Sequence, residues 1–382
     1  MIDLYLKVNH KEIMFSTSYL LDKPGGTFRT ERIELPSLKR GEILLRTRRV
    51  SVCQSDVVIQ RVGLPRIKSW PAVILHEVSA TVEAVGEGVT KFVTGDLVGI
   101  GCDIPCGDRA CIYCGDEGTG DWTCCPNTQA TGHEFAGFAR THAVLPDWFV
   151  ELGPIMKFPK GFDPDHACQL EPLACCLEGM TRVNNCIANR VVVLIGAGSQ
   201  STYALQCAQA MGAGKIILVN RGAERLERVL RDFGDERVVG VRWDENVVER
   251  VFSECRPFNE PHFVMMNAPA REGYELSVKL LGYGTVLDAH AGVKGAGGKP
   301  RIAHEVDLNN DIHYKLQCLQ ATHGSSMHGI RMAHELLVGG KLPKLGLMTH
   351  ASERFGPDQI LEAIKRADDK DSLKVIVNFD NL

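Results

Sequence analysis

The chain has 382 residues, of which 44% are hydrophobic and 24% charged, and its formal net charge is -4. That length is too great for one ordinary core and implies two domains of a globular protein, while the charge gives no reason to expect nucleic acid or an acidic lipid surface as a partner. The opening stretch MIDLYLKVNHKEIMF holds no apolar run long enough for a signal peptide or a membrane span, so a cytoplasmic protein is expected. In that compartment fourteen cysteines point to metal and away from a disulfide framework.

The part of the chain before residue 170 reads as β-rich and irregular. Apolar runs at residues 43–45 and 72–75 are punctuated by Gly and Pro, and residues 81–101, TVEAVGEGVTKFVTGDLVGIG, alternate strand-like pieces with turns. Helical periodicity is scarce here. No internal repeat, low-complexity tract or long linker separates the two parts, so packed domains are expected.

Three pieces of this region carry chemistry: Cys53-Gln54-Ser55-Asp56, His76-Glu77, and Glu171-Pro172-Leu173-Ala174. A catalytic zinc takes about three ligands from Cys, His and carboxylate and keeps one position open. Cys53, His76 and Glu171 can supply such a set, although each alone also reads as a core cysteine, a satisfied buried histidine or a helix N-terminal carboxylate. Between the pieces, residues 101–125 read GCDIPCGDRACIYCGDEGTGDWTCC, with cysteines at 102, 106, 111, 114, 124 and 125. Four thiolates clustered so densely bind a structural zinc tetrahedrally. Cys106, Cys111 and Cys114 are assigned to it, and the fourth ligand is Cys124 or Cys125.

Residues 191–201, VVVLIGAGSQS, open the second part. Consecutive apolar residues led by Val191, Val192 and Val193 predict a strand buried on both faces, Gly196 and Gly198 turn the chain, and Ser199 and Gln200 lead into a helix. Ala204, Leu205 and Ala208 then follow the period of a helix lying on a sheet, and a second apolar run at 215–219 completes the unit. A helix N-terminus in that context receives a pyrophosphate. Ser201 stands where the third glycine of the usual pattern packs helix on strand. Asn220 takes the position of the acidic residue that binds the ribose 2′-hydroxyl. With Arg221 and Arg225 close behind, NADP is the expected cofactor and NAD the alternative. Further strands near 238, at 263–266, 285–287 and 316–319 alternate with helices, which predicts a doubly wound parallel sheet. Loops at Asn267 and at residues 290–293 are expected to border the nicotinamide. A helix over 328–337 and the strand-like KVIVNF end the chain.

Cys-x-Ser-Asp, His-Glu before V-x-x-V-G, a four-cysteine lobe, Glu-Pro-Leu-Ala and a dinucleotide unit together resemble the zinc-dependent medium-chain dehydrogenases, from about Glu34 to Val377. Glu in place of the third ligand's Cys is similar to the sorbitol, threonine and glucose dehydrogenase branch. Leu75 stands where that family usually has Gly, Ala80 replaces another Gly, and the lobe carries extra residues after Cys106 and before Cys124. The resemblance implies an α/β chain: a GroES-like β-rich catalytic domain over 1–172, a doubly wound Rossmann domain over 173–322, and a return to the catalytic domain over 323–382. It implies catalytic zinc on Cys53, His76 and Glu171, with Glu77 beside it and Glu77 or Glu171 exchanging with water. Ser55 matches the hydroxyl that relays the substrate proton, and Asp56 the carboxylate that orients His76. The implied reaction is hydride transfer between a nicotinamide and a secondary alcohol or ketone of a polyol, sugar or cyclitol-like molecule, by a homodimer or homotetramer. Two rivals fit less well. A zinc-free quinone or enoyl reductase has no use for Cys53, His76 and Glu171 together, and a non-catalytic protein on the same scaffold has none for Ser55 and Asp56.

Overall fold

The computed structural model describes residues 14–183, 187–292 and 307–380. Its first large sheet runs in the order Arg354–Phe355, Ile376–Asn378, Ile43–Ser51, Glu77–Val85, Leu97–Ile100 and Ile155–Lys157, with His142–Leu145 also paired to Ile43–Ser51. All its pairs are antiparallel except that of Arg354–Phe355 with Ile376–Asn378. Alternate residues such as Ile43 and Leu45, Val78, Ala80 and Val82 enter one core, and the last strand of the chain joins this sheet beside Ile43–Ser51. A β-rich unit thus includes both early and late sequence.

The second sheet has six strands, all parallel, in the order Val238–Arg242, Lys215–Asn220, Val191–Ile195, Phe263–Met266, Val286–Ala289 and Cys318–Ala321. Val192 and Leu194 point into one core and Val191, Val193 and Ile195 into the other, which is why this strand reads as an uninterrupted apolar run. Helix Ser199–Ala210 lies on the first of these faces through Ala204, Leu205 and Ala208. Helices Val247–Glu254 and Arg271–Lys279 cover the other through Val251 and Leu276. This is a doubly wound α/β sheet, and its order reverses between Val191–Ile195 and Phe263–Met266, the place where such sheets bind ligands.

Three expectations differ from the structure. The run at 72–75 is not a strand: Ala72 makes one bridge to Leu21, and Leu75 turns away in the left-handed region at φ 70°. Gly137 closes over that turn so tightly that an added Cβ would lie 2.3 Å from the Ile74 carbonyl oxygen. Helix Gln54–Val62 forms where helical periodicity looked scarce, because its first turn is polar and its buried face begins only at Asp56 and Val57. The last two parallel strands sit slightly later than the apolar runs at 285–287 and 316–319. Among the described residues no helix is long and apolar enough to cross a membrane. The opening stretch through residue 13 lies outside them.

Candidate active site

Cys53 is the N-cap residue of helix Gln54–Val62, and Asp56 three residues on accepts the Cys53 backbone N–H at 2.9 Å. The other carboxylate oxygen of Asp56 accepts the Leu75 N–H at 3.2 Å and lies 3.7 Å from Nδ1 of His76. One fully buried carboxylate therefore ties the helix start to the turn that delivers His76. Burial pushes the Asp56 carboxyl above the usual carboxylate range, with His76 pulling the other way. Leu75, in the place of the expected glycine, bears the left-handed backbone itself, so the departure noted in the sequence leaves the turn in place at the strain such a side chain carries.

The sulfur of Cys53, one ring nitrogen of His76 and a carboxylate oxygen of Glu77 lie within 4.8 Å of one another. Glu171, expected as the third ligand, is not in that group. It is buried at the first turn of helix Leu170–Thr181, where Oε1 accepts the Cys175 thiol at 3.2 Å. Burial pushes its pKa up to about 7, with His76 holding it back and Glu77 adding to the rise. Glu77 is held by two groups absent from the sequence reading, the Ser51 hydroxyl and the ammonium of Lys374, which is only 4% exposed. Burial lowers the Lys374 pKa, and Glu77, with Cys53 and Glu171, more than offsets this, so the net shift is upward. Ser55 Oγ is buried without a hydrogen-bond partner, and so is His76 Nδ1.

Cys102 and His133 stand on this site as well. Their donor atoms and that of His76 lie within 4.8 Å of one another, and the His76 and His133 rings are 5.5 Å apart. Burial first, and then the neighbouring His76, lowers the His133 pKa to about 4, so its imidazole is neutral at physiological pH. A second His-Glu pair, His133-Glu134, was the sequence signal for it. Lys374 could have been found as a single cation inside the apolar run LKVIV.

In the lobe, the sulfurs of Cys106, Cys111, Cys114 and Cys125 lie within 4.8 Å of one another. Cys111 and Cys125 are 3.8 Å apart, and about 3.8 Å is the edge of a tetrahedron with zinc–sulfur bonds of about 2.3 Å. Gly115 lets the chain fold back on itself here, because an added Cβ would lie 2.2 Å from the Arg109 carbonyl oxygen. Backbone N–H groups of Tyr113 and Cys114 lower the Cys111 thiol to about 7. Of the two candidates for the fourth position, Cys125 joins the group. Cys124 ends the short helical turn Trp122–Cys124 and faces outward, 2.9 Å from Arg182 and 3.3 Å from Asp121. The lobe is anchored by Trp122, whose indole donates to the Ser325 carbonyl at 2.6 Å.

At the glycine turn, Gly196 has φ 101° and Gly198 is the N-cap residue of helix Ser199–Ala210, which opens with Ser199 and Gln200. Asn220 ends its strand, accepts the Ala197 N–H at 3.2 Å and donates to the Gly222 carbonyl at 2.8 Å. Arg221 lies over the Trp243 ring, 4.5 Å from its centroid, with a long contact to Glu272 at 3.9 Å. Arg225 is less solvated than a helix-start arginine usually is. It donates to the carbonyls of Asp369 and Ser372, and its Nη1 would lie 3.9 Å from a Cβ placed on Gly198. Burial, and then the adjacent Arg228, lower its pKa, with Asp371 pulling the other way. Asn267 follows strand Phe263–Met266 with both side-chain polar atoms buried and unpartnered. His290 bonds Thr322 Oγ1 at 3.2 Å, and Thr322 in turn donates to buried Asp288. Residue 293, the end of the expected nicotinamide loop, lies outside the described residues.

Residues 39–155 match the family model described as the alcohol dehydrogenase GroES-like domain. The chain is 25% identical over 343 residues to the L-threonine 3-dehydrogenase of Bacillus subtilis, which covers 87% of this chain and 90% of that one. It is also 25% identical over 364 residues to a sorbitol dehydrogenase of Bombyx mori, covering 92% of this chain and 96% of the other. Among solved structures it resembles an alcohol dehydrogenase from Thermotoga maritima, with a TM-score of 0.81 at 19% identity over 96% of this chain and 99% of that one. With the four-thiolate lobe, the Cys–His–carboxylate group and the doubly wound sheet in one molecule, the chain carries an alcohol dehydrogenase GroES-like domain over residues 39–155 and is similar along most of its length to medium-chain alcohol dehydrogenases.

Proposed function

We propose that the chain is a zinc-dependent oxidoreductase that transfers hydride between a nicotinamide dinucleotide and a secondary alcohol or ketone of a polyol, sugar or cyclitol-like substrate. The observation that carries this reading is the junction of the donor group with the dinucleotide turn. Helix Leu170–Thr181 carries Glu171, whose carboxyl feels the charges of His76 and Glu77 without joining their group, and the sulfur of its Cys176 lies 3.4 Å from the Gln200 carbonyl oxygen, at the start of helix Ser199–Ala210. The donor set suits zinc, since it mixes thiolate, imidazole and carboxylate and leaves His76 Nδ1 buried without a partner. When bound, zinc supplies Lewis acidity toward the substrate oxygen, and the nicotinamide gives or takes the hydride.

The chain's own residues then have distinct tasks. Cys53 and His76 hold the ion, with Glu77 or Glu171 as the carboxylate. Asp56 fixes the helix start and the His76 turn together. Ser55, with its unpartnered buried hydroxyl, is placed to hold the proton that leaves the substrate oxygen. Cys106, Cys111, Cys114 and Cys125 hold a second zinc of structural role. In this reading residues 1–172 and 323–382 form the catalytic unit, 173–322 the nucleotide unit, and the enzyme works in the cytoplasm. Zinc-loaded protein should change nicotinamide absorbance with at least one member of a panel of polyols, sugars and cyclitols. No turnover with any of them, in either direction, would end this reading.

The cofactor is proposed to be NADP(H). Asn220 brings no negative charge to the ribose position, and Arg221 and Arg225 flank the turn that would hold a 2′-phosphate. Asn220→Asp with Arg221→Leu should reverse the preference, because an aspartate keeps the acceptor for the Ala197 N–H and adds the charge that repels the phosphate. A higher kcat/KM with NAD(H) in the unmodified protein would reject the assignment.

A homodimer is proposed through the edge strand Cys318–Ala321. That edge is bordered by exposed Leu316, Leu319 and Tyr314, and its open backbone groups can pair with a second copy. Leu319→Lys should convert the dimer to a monomer in sedimentation. A wild-type chain that sediments as a monomer at micromolar concentration would remove the proposal.

A further inference from the structure

Both carboxylates available to an ion on His76 are already engaged. Glu77 is held by Lys374 and Ser51, and Glu171 accepts the Cys175 thiol. On the same histidine, Cys102 and His133 bring a thiol and an imidazole that neither the dehydrogenase reading nor the four-thiolate lobe uses. The three donor atoms of His76, Cys102 and His133 lie within 4.8 Å of one another, a spacing that small rotamer shifts bring onto one ion, with bonds of about 2.0–2.3 Å.

Two further observations mark this group as built for a metal. His133 Nδ1 sits 3.1 Å from the Thr131 carbonyl oxygen, so the ring donates there and leaves Nε2 with a free lone pair. Metal-binding histidines are oriented in this way by a bond from the other nitrogen to a carbonyl or carboxylate. The same residue fixes Cys102: the Thr131 N–H and hydroxyl both donate to the Cys102 carbonyl, at 3.0 and 3.4 Å, and the Cys102 thiol points back at the Thr131 carbonyl at 3.7 Å. Thr131 is fully buried, and the short ladder between Asp103–Ile104 and Gln129–Ala130 holds the two segments side by side. Within the pair of groups, His76 is 3% exposed and its Nδ1 has no hydrogen-bond partner.

We propose that His76, Cys102 and His133 form a second metal position that shares His76 with the Cys53 side, suited to zinc or another ion that accepts mixed sulfur and nitrogen ligands. The proposal rests on the dehydrogenase reading only in taking His76 as a ligand. An ion shifted to this position is bound without Cys53 and without either carboxylate, so the site can retain its metal while the Cys53 side opens toward substrate.

The test uses metal binding and no turnover, so its failure is separate from a failure of the dehydrogenase reading. Full-length Cys53→Ser protein is stripped with a chelator and reloaded with Co2+ alone, then assayed for bound metal and for thiolate-to-cobalt absorption. Serine keeps an N-cap acceptor at the start of helix Gln54–Val62, so this variant is expected to fold; Cys53→Ala serves in its place if it does not. The expected result is two cobalt ions per chain, falling to one in Cys53→Ser/Cys102→Ser and in Cys53→Ser/His133→Ala. A Cys53→Ser protein that binds only the ion of the four-thiolate lobe would overturn the proposal. So would a second ion whose retention and absorption are the same with and without Cys102 and His133.

Discussion

Replacing Cys114 with serine should cost the chain one zinc and unfold the lobe around it. Structural zinc binding in small folds is worth about 10–16 kcal/mol in apparent terms, and that free energy is folding free energy because no preformed site exists in the unfolded chain. Cys114 is 4% exposed and packs with Trp122 and Cys125 in a core of its own, beside Cys106, Cys111, Tyr113 and Met327. Few apolar residues share that core, so little but the metal holds it. The consequence extends beyond the lobe. Trp122 donates to the Ser325 carbonyl and the Met327 N–H donates to the Gly120 carbonyl, so the lobe also secures the segment leading into helix Met327–Val338. The variant should therefore show one zinc per chain, a red shift of Trp122 emission as the indole meets water, and a melting temperature well below that of the parent. Cys124→Ser should change none of these, since that thiol faces Arg182 and Asp121 outside the cluster. Parent-like zinc content in Cys114→Ser would contradict the four-thiolate site, and loss of zinc in Cys124→Ser would contradict the assignment of the fourth ligand to Cys125.

The parts of the site that were legible in the sequence are those built from neighbours in the chain. The strand, glycine turn and helix at 191–210 could be read because a buried parallel strand is apolar on both faces and only a few residues turn it into a helix. Cys53 with Asp56 was legible for the same reason: the two meet across one helical turn. The fourth cysteine was not legible. Cys124 and Cys125 are adjacent, and a single helical turn decides which of them faces the cluster. The competition for Glu77 and Glu171 was also hidden. Their partners are Lys374 and Ser51 in one case and Cys175 in the other, and only the closing of the β-rich sheet by the last strand brings Lys374 to Glu77. Asn220 stands at its strand end as its spacing from the glycine turn implies, while the bonds of its amide to Ala197 and Gly222 depend on how the turn folds back on the strand and are not encoded in that spacing.

Lys374→Met should destabilise the fold by about 3–5 kcal/mol, the range for removing one partner of a buried ion pair and leaving the other charge uncompensated. Both members qualify as buried: Lys374 is 4% exposed and Glu77 1%. With the ammonium gone, the Ser51 hydroxyl is the remaining bond to Glu77, which is too little for a carboxylate in that setting. Denaturant melts of parent and variant at neutral pH should therefore separate by that amount. Adding Glu77→Gln should restore much of the lost stability, because an amide needs no counter-ion. Zinc should stabilise Lys374→Met more than it stabilises the parent, since a cation beside Glu77 replaces the charge that was removed. A deficit that the Glu77 substitution leaves unchanged would mean that Lys374 supports the fold by packing of its methylene stem, with the ion pair contributing little.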